Sequence, residues 1–190
     1  MPHTVGPDTR FTVDDFMLFP DDGRRHEIID GEHYVTPSPT TRHQRLVQRL
    51  FLAVAEHLRA HPEQGEAFIA PFDVVLSDYD VVEPDLLVIG GDQTDILTEQ
   101  HVRGAPALVI EVLSKGTRKR DEQTKRRLFE RTGVREYWLL DPDLDLVKVF
   151  RRAPDGALPR VAELLAEDRA ILTSPLLPGF SCELAMLFAR

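Results

Sequence analysis

Ala107-Leu108-Val109-Ile110-Glu111-Val112-Leu113 is a short apolar run with the composition of a buried strand, interrupted by one carboxylate. Strand alternation puts Ala107, Val109, Glu111 and Leu113 on one face and Leu108, Ile110 and Val112 on the other. An ionised carboxylate buried without partners is prohibitively costly, so Glu111 either keeps its proton or meets a cation. That cation can be a metal ion or a basic side chain. The plainer alternative is a Glu at a strand end that reaches solvent or a structural salt bridge.

A chain of 190 residues can build one domain with a sizeable core. We expect a tail with a short helix over residues 1–20 and a single domain over 21–190. The net charge of -9 argues against broad, non-specific nucleic-acid binding and leaves room for a local basic groove. Cys182 is the single cysteine, which excludes an internal disulfide framework and a cysteine-rich zinc site. That usage suits a reducing cytoplasm, the expected location. No apolar run approaches the length of a membrane span, and Met1 to Arg10 has no signal-peptide core.

Along the chain, Thr12 and Asp15 have the spacing of a capping box for a short helix. Asp30-Gly31, between Arg25–Ile29 and Glu32–Val35, is a strong hairpin signal, and this hairpin carries Glu27. Thr41 to His61 reads as a helix with Leu46, Val47, Leu50, Val54 and Leu58 in one stripe. His43 lies one turn before that stripe and points toward the core side, where most histidines are structural. Phe68 to Leu76 and Val81 to Ile89 read as strands, the second irregular at Pro84, and Asp85 sits in the second. Ser114 to Arg120 reads as a basic loop and Asp121 to Thr132 as a helix closed by Gly133. Lys125 falls on the inward side of that helix. The bland role for it is an i,i+4 pair with Asp121, worth tenths of a kcal/mol. Lys115 to Arg131 holds eight basic residues against three acidic ones. Such a run is either a solvated helix face or a phosphate-tracking patch formed by Lys115, Arg118, Lys119 and Arg120. Strands follow over Glu136–Leu140 and Leu146–Phe150, with short strands toward the C-terminus.

Two apolar strands thus each carry an acid, Asp85 and Glu111, and a basic residue follows on the next helix. Carboxylate oxygens suit a hard cation such as Mg2+ or Mn2+, which retains several waters. A metal so held acidifies its water and neutralises phosphoryl charge, and a nearby ammonium stabilises the transition state. These parts suffice for phosphodiester hydrolysis.

The order Pro84-Asp85, then Glu111, resembles the PD-(D/E)xK nuclease superfamily. More specifically, the chain resembles the Uma-two family of restriction-endonuclease-like proteins. The matching stretches are His26 to Glu32, Pro37-Ser38-Pro39 followed by His43, Glu83-Pro84-Asp85-Leu86, Ala107 to Ser114, and Arg120-Asp121 with Lys125. Gly133 to Trp138 with Asp141-Pro142, and Leu177 to Phe180, extend the likeness. It implies an α/β (α+β) fold with a restriction-endonuclease-like mixed central β-sheet flanked by helices and an N-terminal hairpin. It implies Asp85 and Glu111 as metal ligands and Lys125 as the electrostatic residue. Glu27 and His43 match further family positions, where one orients the water or a ligand or completes the metal shell. The implied activity is a Mg2+- or Mn2+-dependent endonuclease acting on nucleic acid, with DNA the expected substrate and a homodimer a plausible assembly. The alternative is a nuclease-like fold that binds nucleic acid or protein without cutting. Two residues after Glu111, Leu113 stands where the superfamily places its lysine, so the lysine has moved to Lys125, with Lys115 as the competing candidate.

Overall fold

The hairpin turn Asp30-Gly31 has φ of 53° and 76°, the left-handed pair that matches the twist of the flanking strands. It joins β1 (Arg25–Ile29) to β2 (Glu32–Thr36), with Ile29 opposite Glu32. This computed structural model describes residues 10–190; the part of the expected tail over residues 1–9 lies outside them. Before the hairpin, α1 (Val13–Phe16) starts at Thr12, and the capping box between Thr12 and Asp15 forms in both directions. Phe11, Val13, Phe16 and Phe19 pack onto Ile28, Val75 and Val81.

After the hairpin, α2 (Thr41–Ala60) is capped by Thr40, whose hydroxyl accepts the His43 N–H. Its stripe of Leu46, Val47, Leu50, Val54 and Leu58 is buried, each side chain contributing about 1.5–3 kcal/mol of transfer free energy. Then come β3 (Gly65–Ile69), β4 (Val74–Ser77), β5 (Asp80–Val82), β6 (Leu86–Gly90), β7 (Val102–Arg103) and β8 (Leu108–Val112). A π-helical turn over Arg120–Lys125 runs directly into α3 (Arg126–Thr132), which ends on Gly133 at φ 101°. The chain closes with β9 (Glu136–Asp141), β10 (Leu146–Arg151), β11 (Arg160–Leu165), β12 (Ile171–Leu172), β13 (Cys182–Glu183) and α4 (Leu184–Leu187).

Among the described residues these strands form a six-stranded sheet, β11-β10-β9-β8-β6-β3, and a five-stranded one, β2-β1-β5-β4-β7; β12 and β13 pair separately. Both larger sheets are mixed: β8 runs parallel to β9, and β4 parallel to β7. The two expected long strands are each divided between these sheets. Phe68–Leu76 splits into the end of β3 and the start of β4 because Pro71 offers no N–H to continue a ladder. Val81–Ile89 splits at Glu83-Pro84-Asp85 for the same reason, into β5 and β6. The C-terminal stretch Phe180–Leu184, expected as a strand, is a two-residue strand followed by α4.

The alternation of β8 holds. Leu108, Ile110 and Val112 join the core under α2, with Trp138 and Leu140. Val109 and Leu113 face the opposite core, built from Leu128, Phe129, Tyr137 and the five-stranded sheet. Glu111 shares that second face, between the central sheet, the hairpin and the helix that carries Lys125. No helix among the described residues is long and apolar enough to cross a membrane.

Candidate active site

Glu111 is buried at the end of β8, 2 % exposed, and its Oε1 accepts a hydrogen bond from Lys125 Nζ at 2.6 Å. The same ammonium lies 2.6 Å from Glu27 Oε1, on β1, and 3.9 Å from Asp121. One buried lysine therefore bridges two sheets. The π turn sets its reach, because it leaves both Asp121 and Lys125 facing inward ahead of the apolar pair Leu128 and Phe129. Burial opposes the charge on Lys125, but Glu111, Glu27 and Asp121 hold its pKa above the ordinary value.

Asp85 sits at the break before β6, where Leu86 pairs with Ile110 across the ladder. Its Oδ2 accepts the Val112 N–H at 2.8 Å and lies 3.0 Å from His43 Nε2. Its Oδ1 accepts from Arg25 Nη1 at 2.7 Å. Burial raises the Asp85 pKa, but the contacts with His43 and Arg25 outweigh it and hold the carboxyl below its usual range. Glu111 moves the other way: burial, reinforced by Asp85, Asp121 and Glu27, pushes it up to about 8 against the pull of Lys125. For Glu27 burial is overcome by Lys125 and Arg120, which lower its pKa. The Asp85 and Glu111 carboxyls are thus shifted in opposite directions.

Asp85, Glu111, His43 and Lys125 line one cavity of about 380 Å³. Its walls are Pro37–Thr40 on one side and Ser114–Thr117 on another. Five acids (Glu27, Glu83, Asp85, Glu111, Asp121) meet three permanent cations (Arg25, Arg120, Lys125) in this buried cluster. With Glu111 protonated, as its raised pKa holds it at neutral pH, the other four acids exceed the three cations by at most one charge. Glu27 Oε2, Glu83 Oε1 and Asp121 Oδ1 are buried without a hydrogen-bond partner. Carboxylate oxygens in excess over the cations suit a hard cation such as Mg2+ or Mn2+. As they stand, no three acids, histidines or cysteines among the described residues converge closely enough to hold one. Asp85 and Glu111 both line the cavity and are two carboxylates that could take part in holding an ion.

A family model described as "Uma2: Putative restriction endonuclease" matches residues 13–186. The chain belongs to that family. Its fold is similar to the crystal structure of "a putative nuclease belonging to DUF820" from Anabaena variabilis ATCC 29413, with a TM-score of 0.77 at 20 % identity. The match covers 94 % of this chain and 98 % of that one. A search of curated proteins returned no match.

In this Uma2 chain the five residues singled out as catalytic, Asp85, Glu111, Lys125, Glu27 and His43, lie in one buried network. Lys115 lines the cavity at its mouth, exposed, whereas Lys125 reaches Glu111 directly. The basic run divides. Lys115 and Lys119 are exposed, but Arg118 bonds both oxygens of Asp141, and Arg120 turns inward to Thr36 and Glu27. Internal carboxylates draw two of the four off the surface that a phosphate backbone would meet. Arg25 was not legible as a site residue: it opens an ordinary strand, and its partner Asp85 lies 60 positions on. Asp121 carried a weak signal, being four residues before Lys125 on the same face.

Proposed function

We propose that this protein is a divalent-metal-dependent nuclease that hydrolyses phosphodiester bonds of nucleic acid, with DNA the first substrate to test. The observation that carries the reading is the meeting of Asp85, Glu111 and Lys125 in a single cavity, each from a different stretch of the chain. Asp85 and Glu111 are the residues that would hold Mg2+ or Mn2+. The bound ion supplies an acidified water and neutralises charge on the phosphoryl oxygens. Lys125, fixed by Glu27 and Glu111, would set a positive charge beside the pentacoordinate phosphoryl group as it gains negative charge. Glu27 acts as a positioning residue, since its oxygens are turned to Lys125, Arg120 and the Glu83 N–H. His43 orients Asp85 through Oδ2. In the overall reaction a water oxygen bonds to phosphorus, the bond to the leaving sugar oxygen breaks, and the proton released by water ends on that oxygen or in solvent.

The test is cleavage of plasmid DNA and of single-stranded oligonucleotides with Mg2+ or Mn2+. Glu111→Gln and Asp85→Asn are expected to lower the rate by about 10²-fold or more, with circular dichroism unchanged. Undiminished cleavage by carefully purified variants overturns the reading.

A further inference from the structure

The two oxygens of Asp85 are held in unequal ways. Oδ2 is fixed by the protein frame, through the Val112 N–H at 2.8 Å and His43 at 3.0 Å. Oδ1 is held by Arg25, a side chain 23 % exposed to solvent. Arg25 sits between two acids. Its Nη1 is on Asp85 and its Nη2 donates to the Glu83 carbonyl at 2.9 Å. Its Nε is buried with no hydrogen bond, and 3.8 Å away stands Glu83 Oε1, also buried with no hydrogen bond. Two orphaned, complementary atoms face each other about 1 Å beyond bonding distance. The Nη2 bond to the Glu83 carbonyl is a pivot about which the fork can rock toward that carboxylate. A second cavity of about 360 Å³, lined by Arg25, His43, Glu83 and Asp85, gives the guanidinium room.

We propose that Arg25 occupies the cation position of Asp85 Oδ1, and that metal loading transfers the guanidinium from Asp85 to Glu83. The inference rests on the reading of Asp85 and Glu111 as the metal pair. The guanidinium keeps Asp85 compensated without metal, and Glu83 receives the displaced charge so that Arg25 is never left unpaired in a buried site. His43 and the Val112 N–H keep Oδ2 in place through the exchange, so Oδ1 is presented in one orientation. Arg25 and Glu83 are positioning residues, and their effect is on metal affinity.

The experiment is Mn2+ titration calorimetry on a double-mutant cycle of Arg25→Gln and Glu83→Gln. Arg25→Gln is expected to bind Mn2+ about tenfold tighter than wild type. Arg120→Gln removes an equal charge from the same cavity without touching Asp85, and is expected to change affinity by less than about threefold. Glu83→Gln is expected to weaken binding about tenfold when Arg25 is present and no more than about twofold when it is replaced. An Arg25→Gln protein no tighter than Arg120→Gln, or a Glu83→Gln cost equal in both backgrounds, overturns the exchange. If Arg25→Gln does not fold, Arg25→Met, which removes the charge and keeps the apolar stem, carries the same cycle. Glu111→Gln in the Arg25→Gln background separates the two levels. Binding lost there with no Arg25–Glu83 coupling refutes the exchange and leaves the metal pair standing; binding kept there refutes the metal pair itself.

Discussion

Glu111→Gln tests the protonation of the buried pair independently of catalysis. Burial and the neighbouring carboxylates raise the Glu111 pKa from 4.5 to about 8. The folded protein then retains a proton that the unfolded chain has released throughout that window, so stability falls as pH rises. For a raised acid the contribution is fully present below about 4.5 and is lost as pH passes through about 8. At about 1.36 kcal/mol per pH unit the window amounts to roughly 5 kcal/mol, a ceiling because Asp85, Asp121 and Glu27 also relax when the charge on Glu111 is removed. The amide has no such titration, and Lys125 keeps Glu27 at 2.6 Å as its counter-ion. Urea unfolding near pH 5 and near pH 8.5 should therefore give similar stabilities for wild type and variant at the acidic value. At the alkaline value the variant should be the more stable by about 2–5 kcal/mol. A variant less stable than wild type by the same amount at both values would refute the reasoning, because Glu111 would then be ionised and paired with Lys125 throughout.

Other perturbations follow from the same network. Lys125→Met leaves the Glu27 carboxylate buried without the ammonium that compensates it and should cost about 3–5 kcal/mol in urea unfolding at neutral pH, with Glu27→Gln recovering much of the loss. Arg118→Ala should cost about 1–3 kcal/mol of stability by freeing the buried Asp141, and should leave the salt dependence of any DNA binding unchanged. Lys115→Ala should lower the slope of log affinity against log salt by about 0.9, the value of one phosphate contact, with little change in melting temperature.

The parts of this fold that could be read from sequence are those fixed by local periodicity or turn chemistry. The stripe of α2, the Asp30-Gly31 hairpin, the Gly133 helix end and the two faces of β8 are of this kind. Asp85, Glu111 and Lys125 were legible because a charge inside an apolar pattern needs an explanation. What stayed hidden depends on contacts far along the chain. Pro71 and Pro84 mark irregularities, but nothing local says that the chain passes between two sheets at each. Arg25 and Arg118 have no local pattern that distinguishes an arginine bound to an internal acid from one in water. The π turn is equally silent, since its residues satisfy an α-helical pattern as well.

That turn carries a consequence for length variation in the chain. Six residues, Arg120 to Lys125, follow the wider winding before the regular helix resumes. A π turn is what one inserted residue produces in an α-helix. Removing one residue between Asp121 and Lys125 would restore regular winding and improve the backbone bonds. The same deletion would rotate Asp121 by about 100° relative to Leu128 and Phe129, the angle of one residue in an α-helix. The shorter helix would be the better helix, yet Asp121 and Lys125 would no longer point into one cavity. Helix quality and site geometry thus make opposite demands on a single residue of length, and this chain has the longer form.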